Sequence, residues 1–321
     1  MSNGGSGLAP LTVPAMRPLT SLVAALLLVP ALAPAQASLG RADSVFTWHG
    51  PLRAGALLSV RNYNGPIDVR PASGSEVELR AEKRTARGGG ALEDVTFDIR
   101  TGSNGDVTIC SVFRARSTCD GERHWSDDDS DDGGYRRNVS VAMTLLVPRG
   151  AQVKVVTGNG ALTVERVAGE LQAVTGNGRV RVANTDGPVR VTTGNGDVEV
   201  RDSHAEVKVT TGNGDVSVVT AEGPVDARSG NGRIDVSITA LRARDDMTFS
   251  TGSGSVRLTL PASYSGELDA STGNGEVRSD FDLKLRNGRM DPHHIRATIG
   301  DGGPRLRLSS GNGGLEVLKA R

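Results

Sequence analysis

The stretch Val189-Arg-Val-Thr-Thr-Gly-Asn-Gly-Asp-Val-Glu-Val200 places two short alternating runs on either side of a Gly-Asn-Gly turn. Val189, Val191, Thr193, Val198 and Val200 point one way, and Arg190, Thr192, Asp197 and Glu199 point the other. Alternation with a period of two marks a half-buried strand. The same unit recurs along the chain. Thr-Gly-Asn-Gly begins at Thr157, Thr175, Thr193 and Thr211, and Ser-Gly-Asn-Gly at Ser229, at a constant interval of 18 residues. Variants begin at Thr251, Thr272 and Ser310, at longer intervals. Val153, Leu171, Val189, Val207 and Val225 therefore form one inward column.

Two architectures accommodate this repeat. Asn-Gly between alternating strands is a strong hairpin signal and allows an antiparallel meander. A solenoid instead makes each unit one coil and stacks equivalent residues in parallel ladders. The spacing is fixed through the opposite turn as well, at Asp186-Gly-Pro188 and Glu222-Gly-Pro224. A two-residue hairpin has no use for the extra glycine at 158, 176, 194, 212 and 230. Stacked Asn159, Asn177, Asn195, Asn213 and Asn231 would also form a hydrogen-bonded ladder, with the flanking glycines supplying unusual φ. The expected fold is thus an all-β, parallel β-solenoid (a single-stranded β-helix) of about 18 residues per coil, right-handed by the usual preference of parallel crossovers.

Other repeats of this length fit poorly. The calcium-binding nonapeptide roll needs Asp at a fixed place in every turn. Asp197 and Asp215 meet that need, but Ala161, Arg179 and Arg233 stand at the equivalent position. The hexapeptide helix needs an aliphatic residue every six positions, which Val189, Val191, Val198 and Val200 do not give. The Thr/Ser-Gly-Asn-Gly rungs resemble the bacterial putative-adhesin β-helix family. So do the entry segment Leu145-Leu-Val-Pro-Arg-Gly150 and the closing Ile299-Gly-Asp-Gly-Gly-Pro304 before Leu306. The resemblance runs from about Ser44 to Val317. It implies a β-helix on an exported or envelope-associated protein, and brings no functional residues with it.

Composition agrees with a strand-built core. Aromatic residues are only 3% of the chain while Gly is 42 of 321, so Val, Ile, Leu and Thr must fill the interior, and three of these favour strands. Residues 1–37 read as a secretory signal peptide: Arg17, an apolar run from Leu22 to Val29, and the small-residue site Ala35-Gln-Ala37 before Ser38. The apolar run is shorter than the about 20 residues needed to span a bilayer, and Met16 is an alternative start. Residues 38–150 read as an irregular β region capping the solenoid, with a polar insertion at 111–137. Residues 151–321 read as the regular coils. No anchor or sorting motif is read after Leu318, so a periplasmic location and a secreted or surface one both fit.

Chemistry was sought residue by residue. No nucleophile elbow, Walker or dinucleotide motif occurs, so no catalytic or cofactor-binding residues are assigned. The acid run at 127–132 fails the EF-hand template and reads as a solvated loop. The histidines His49, His124, His204, His293 and His294 lack metal spacing. Outward carboxylates such as Glu199 and Asp215 suggest a carbohydrate-active enzyme as the alternative, but the regular coils offer no aromatic sugar platform. Lys+Arg and Asp+Glu both number 37, which argues against a general polyanion binder, nucleic acid included. The leading expectation is a non-enzymatic envelope or extracellular binding scaffold for a protein or glycan. Self-association and an envelope-stress sensor are further options. Cys110 and Cys119 read as a local disulfide, with a metal site including His124 as the rival. Protein from an oxidising compartment is expected to yield no thiol on titration under denaturing conditions. Two reactive thiols per chain would remove the bond.

Overall fold

The structure is a computed structural model that describes residues 44–85, 92–113, 119, 139–220, 222–241, 245–286 and 291–320. The signal segment 1–37, the loop 87–90 and the acid run 127–132 with His124 lie outside the described residues. The described residues are all-β apart from one short 3-10 turn, Leu92–Asp94. Each repeat contributes one strand to each of two sheets. In the repeat opening at Val189, strand Val189–Asn195 leads into the Gly-Asn-Gly turn and strand Val198–Ser203 leaves it. The leading strands join a 13-stranded sheet and the trailing strands a 12-stranded one.

Pairing between repeats is parallel and in register. Val191 lies between Ala173 and Val209, and Val200 between Val182 and Val218. An antiparallel hairpin would pair Val191 with Val200, so the meander is not the fold. The inward column Val153, Leu171, Val189, Val207 and Val225 is almost fully withdrawn from solvent. Its members are successive ladder partners. Between the sheets these columns make one continuous apolar core. Burial of each such side chain contributes about 1.5–3 kcal/mol.

At both ends, stack order departs from chain order. The last repeat, Arg305–Asn312 with Leu315–Lys319, lies directly on Met247–Ser253 and Val256–Leu260. The earlier repeat Gly266–Asn274 with Val277–Ser279 sits outside it. The turns beginning at Thr251, Thr272 and Ser310 therefore stack as 251, 310, 272. The other end mirrors this. Leu57–Asn64 with Ile67–Pro71 packs on Gln152–Asn159 and Leu162–Glu165, and the later strands Val107–Phe113 and Val139–Val147 lie outside it. Each outermost coil is thus an internal stretch of chain, and the first and last coils are held one layer in.

Antiparallel strands then close the sheets. Val95–Thr101 pairs with Val107–Phe113, Glu76–Thr85 with Val139–Val147, and Val45–Pro51 with Glu76–Thr85. At the other end His294–Ile299 lies on Gly266–Asn274, and Leu283–Leu285 on His294–Ile299. Such strands break the parallel template that an open coil would present. Cys110 is bonded to Cys119 with Cα atoms 6.0 Å apart, tying the middle of strand Val107–Phe113 to a residue nine positions further along the chain.

A charge in the inward column should be far more damaging than one outside. Val209→Asp, between Val191 and Ala227, is expected to cost about 3–5 kcal/mol, whereas Thr192→Asp, on the exposed face, should cost less than about 0.5 kcal/mol. Thermal melts that tolerate both equally would mean the two faces are reversed.

Candidate functional site

The repeat presents two kinds of surface, the turn column and the outward sheet faces. In the turn column, Asn177 Nδ2 donates to Asn159 Oδ1 at 2.8 Å, and Asn195, Asn213 and Asn231 continue the chain at 2.8, 2.7 and 2.8 Å. Beyond Ser253 the series resumes with Asn274 donating to Asn312 at 2.8 Å. These side chains are exposed. Each amide is spent on its neighbour.

A second column runs beneath the first. Thr175 Oγ1 donates to the Gly160 carbonyl at 3.0 Å, Thr193 to Gly178 at 3.3 Å and Thr211 to Gly196 at 3.1 Å. Ser229, Thr251, Ser310 and Thr272 do the same for Gly214, Gly232, Gly254 and Gly313. Each buried hydroxyl thus satisfies a turn carbonyl of the adjacent coil, which a valine could not do. Asn62 ends the column in the place of a threonine. Its Nδ2 serves the carbonyls of Gly65 and Val141, at 3.1 and 2.7 Å. Sequence reading placed Thr193 inward without giving its hydroxyl a task. The signal was a hydroxyl at the same inward position in every rung.

On the trailing sheet's outer face several charged neighbours pair. Glu199 meets Arg181 at 3.4 Å and Arg201 at 2.5 Å, and Arg257 meets Glu316 at 2.8 Å. In the turn beside it, Arg179 reaches Asp197 at 2.8 Å. That guanidinium, and then the backbone N–H of Asp215, hold the Asp197 carboxyl below its usual range. Asp215 in turn accepts the backbone N–H of Arg233 at 2.7 Å. Glu199 and Asp215 are therefore engaged separately and do not face one another as a catalytic pair.

The leading sheet's outer face differs at its centre. Arg190, Lys208 and Asp226 are ladder neighbours on three successive strands, with Thr192, Thr210 and Arg228 one outward position further along. Together they line a shallow groove of about 240 Å³. Lys208 pairs with Glu206 at 2.5 Å, and Asp226 Oδ1 accepts the Thr248 N–H at 2.8 Å. Arg190 and Arg228 are exposed and have no partner among the described residues. The groove thus offers two uncommitted guanidiniums and two threonine hydroxyls.

A smaller cleft of about 230 Å³ near the C-terminal end is lined by Glu267, Asp269, Arg286, Arg296 and Arg305. Its carboxylates are already tied, Glu267 to Arg286 at 2.9 Å and Asp269 to Arg296 at 3.5 Å. The described histidines are dispersed. His49 faces Glu76, His204 faces Asp186, His294 faces Asp269, and His293 Nδ1 sits 2.7 Å from the Gly275 carbonyl. Among the described residues no group of three or more His, Cys, Asp or Glu is placed to hold a metal ion. No helix among them is long and apolar enough to cross a membrane.

Comparison with known proteins gives the following. A cell adhesion protein from Clostridium sporogenes, itself described as putative, is 8% identical, covering 85% of this chain and 99% of its own, with a TM-score of 0.27. A putative adhesin from Bacteroides fragilis is 10% identical, covering 86% of this chain and 97% of its own, with a TM-score of 0.42. No curated protein matches the chain. The family model described as Toastrack DUF4097 matches residues 58–318, the whole span of stacked coils. By that match the chain belongs to the Toastrack DUF4097 family.

Proposed function

We propose that this protein is a non-enzymatic, exported binding scaffold of the cell envelope or extracellular space, adhesin-like in role. Its coils, of about 18 residues and right-handed in this reading, serve to hold an extended outer face rigid. The observation that carries the reading is the contrast between the two faces. The trailing face pairs Glu199 with Arg181 and Arg201 and Arg257 with Glu316, while the leading face presents Arg190 and Arg228 uncommitted beside Thr192 and Thr210. Groups held out of internal pairing on a rigid sheet are available to a ligand at little ordering cost.

Catalysis finds less support. A general acid needs a carboxyl held protonated near neutral pH. Asp197 and Glu82 are moved the opposite way by the arginines beside them. Glu199 and Asp215, the carboxylates that favoured an enzyme in sequence, are bound to Arg181 and Arg201 and to the Arg233 amide. Export rests on the signal-like segment at residues 1–37.

The mature chain is expected to be retained on isolated bacterial cell-envelope material, and to release no reducing ends from a polysaccharide panel. Reducing-end release that disappears in Glu199→Gln or Asp215→Asn would replace the scaffold with an enzyme.

A further inference from the structure

We infer that the ligand of the leading-sheet groove is an acidic polysaccharide, whose carboxylates are taken by Arg190 and Arg228. This rests on the binding reading above and names the class of partner. Strand spacing and rise put the Cα atoms of these two arginines about 12 Å apart, on a diagonal across three strands. Each guanidinium is a planar fork suited to bidentate recognition of a carboxylate. Thr192 and Thr210 lie between them and offer hydroxyls able to donate to, or accept from, sugar hydroxyls.

The two carboxylates nearest the groove do not cancel it. Glu206 is paired with Lys208, and Asp226 keeps its charge while one of its oxygens accepts the Thr248 N–H, so the three cations Arg190, Lys208 and Arg228 face two carboxylates and an excess of positive charge remains. The same outward column carries Lys154 on one side and Arg307 on the other, both without a partner among the described residues. Gln172 separates Lys154 from Arg190. Along this column the order is Lys154, Gln172, Arg190, Lys208, Asp226, Thr248 and Arg307, so cationic side chains return along the stack with Gln172, Asp226 and Thr248 between them, a spread that separate charged units of one polymer can reach. A single small anion would need only one of them.

Charge complementarity alone would also admit an acidic protein or a nucleic acid, and the surface argues against both. Protein partners are anchored by buried apolar or aromatic side chains. Val219 is the one exposed large hydrophobic side chain among the described residues, and it lies on the trailing sheet. Sequence-tolerant binding of single strands uses aromatic side chains as stacking platforms, and the groove has none. A polar, hydroxyl-rich chain with regular carboxylates needs neither.

The test uses the full mature chain, with polygalacturonate as probe and neutral dextran, poly-glutamate and single-stranded DNA of matched length as comparators. Polygalacturonate is expected to bind at least about tenfold more tightly than dextran and than either other polyanion, with affinity falling as salt rises. The double substitution Arg190→Gln with Arg228→Gln should weaken it by about tenfold or more, since each replaces a charged hydrogen bond, while the thermal midpoint stays within about 2 °C. Arg181→Gln on the trailing sheet should leave binding unchanged. Dextran, poly-glutamate or DNA binding as tightly as polygalacturonate would overturn the inference, as would indifference to the double substitution. Either result, with retention on envelope material intact, leaves the scaffold reading standing. Loss of that retention in the unmodified chain removes the scaffold reading itself.

Discussion

The fold depends on how closely one Gly-Asn-Gly turn sits on the next. A Cβ placed on Gly194 would lie 2.6 Å from the Gly176 carbonyl oxygen, and one on Gly212 would lie 2.5 Å from that of Gly194. The second glycine of the turn is tighter still: a Cβ on Gly196 would come within 2.1 Å of the Gly178 oxygen. Gly196, Gly214 and Gly232 also have φ of 153, 151 and 156°, which L side chains rarely adopt. The first glycine is different. It has no such φ, so its need is space alone, and the expectation of unusual φ at both flanking positions holds at the second glycine of the turns ending at 196, 214, 232, 254 and 313 but not at Gly160, Gly178 or Gly275. Because every turn is free of side-chain bulk on its axial side, the strands beyond it can approach to pairing distance. The Thr and Ser hydroxyls then satisfy the turn carbonyls that this closeness buries, while the exposed Asn amides bond to one another along the stack.

A stack of identical layers has a weakness at its ends, where a terminal coil has only one neighbour and can peel away. Here each terminal coil is held one layer in. Arg305–Asn312 has Met247–Ser253 on one side and Gly266–Asn274 on the other. Arg257 and Glu316 pair across that inserted layer at 2.8 Å although 59 residues separate them. Removing the last coil would therefore break two interfaces, and the coil outside it is an internal stretch of chain. The same stiffness suits a surface that must hold outward groups at fixed spacing.

Much of this was legible in the sequence, and the limits have physical causes. Period-two alternation fixed which residues face inward, and a constant spacing through both turns distinguished parallel stacking from hairpins. Local pattern does not encode which layer a repeat joins. The turns at Thr251, Thr272 and Ser310 carry nearly the same residues, so their spatial order depends on long-range pairing. The outer groove was illegible for a related reason. In sequence, Lys154, Arg190, Glu199 and Lys208 are all outward charges of a repeat and nothing local sorts them, but Glu199 belongs to the other sheet and finds its arginines there. Only the assignment of residues to faces separates the committed charges from the free ones.

The central claim is that successive turns stack without room for a side chain, and one substitution addresses it directly. Gly194→Ala should be compared with Gly74→Ala, where nothing lies within 4 Å of the added carbon. The account predicts that Gly194→Ala lowers stability by at least about 2 kcal/mol, because the opposing group is backbone carbonyl and cannot move aside. Gly74→Ala should be neutral, or stabilising by up to about 1 kcal/mol through the unfolded state. Equal melting curves for the two variants would contradict close turn stacking, and the parallel solenoid built on it.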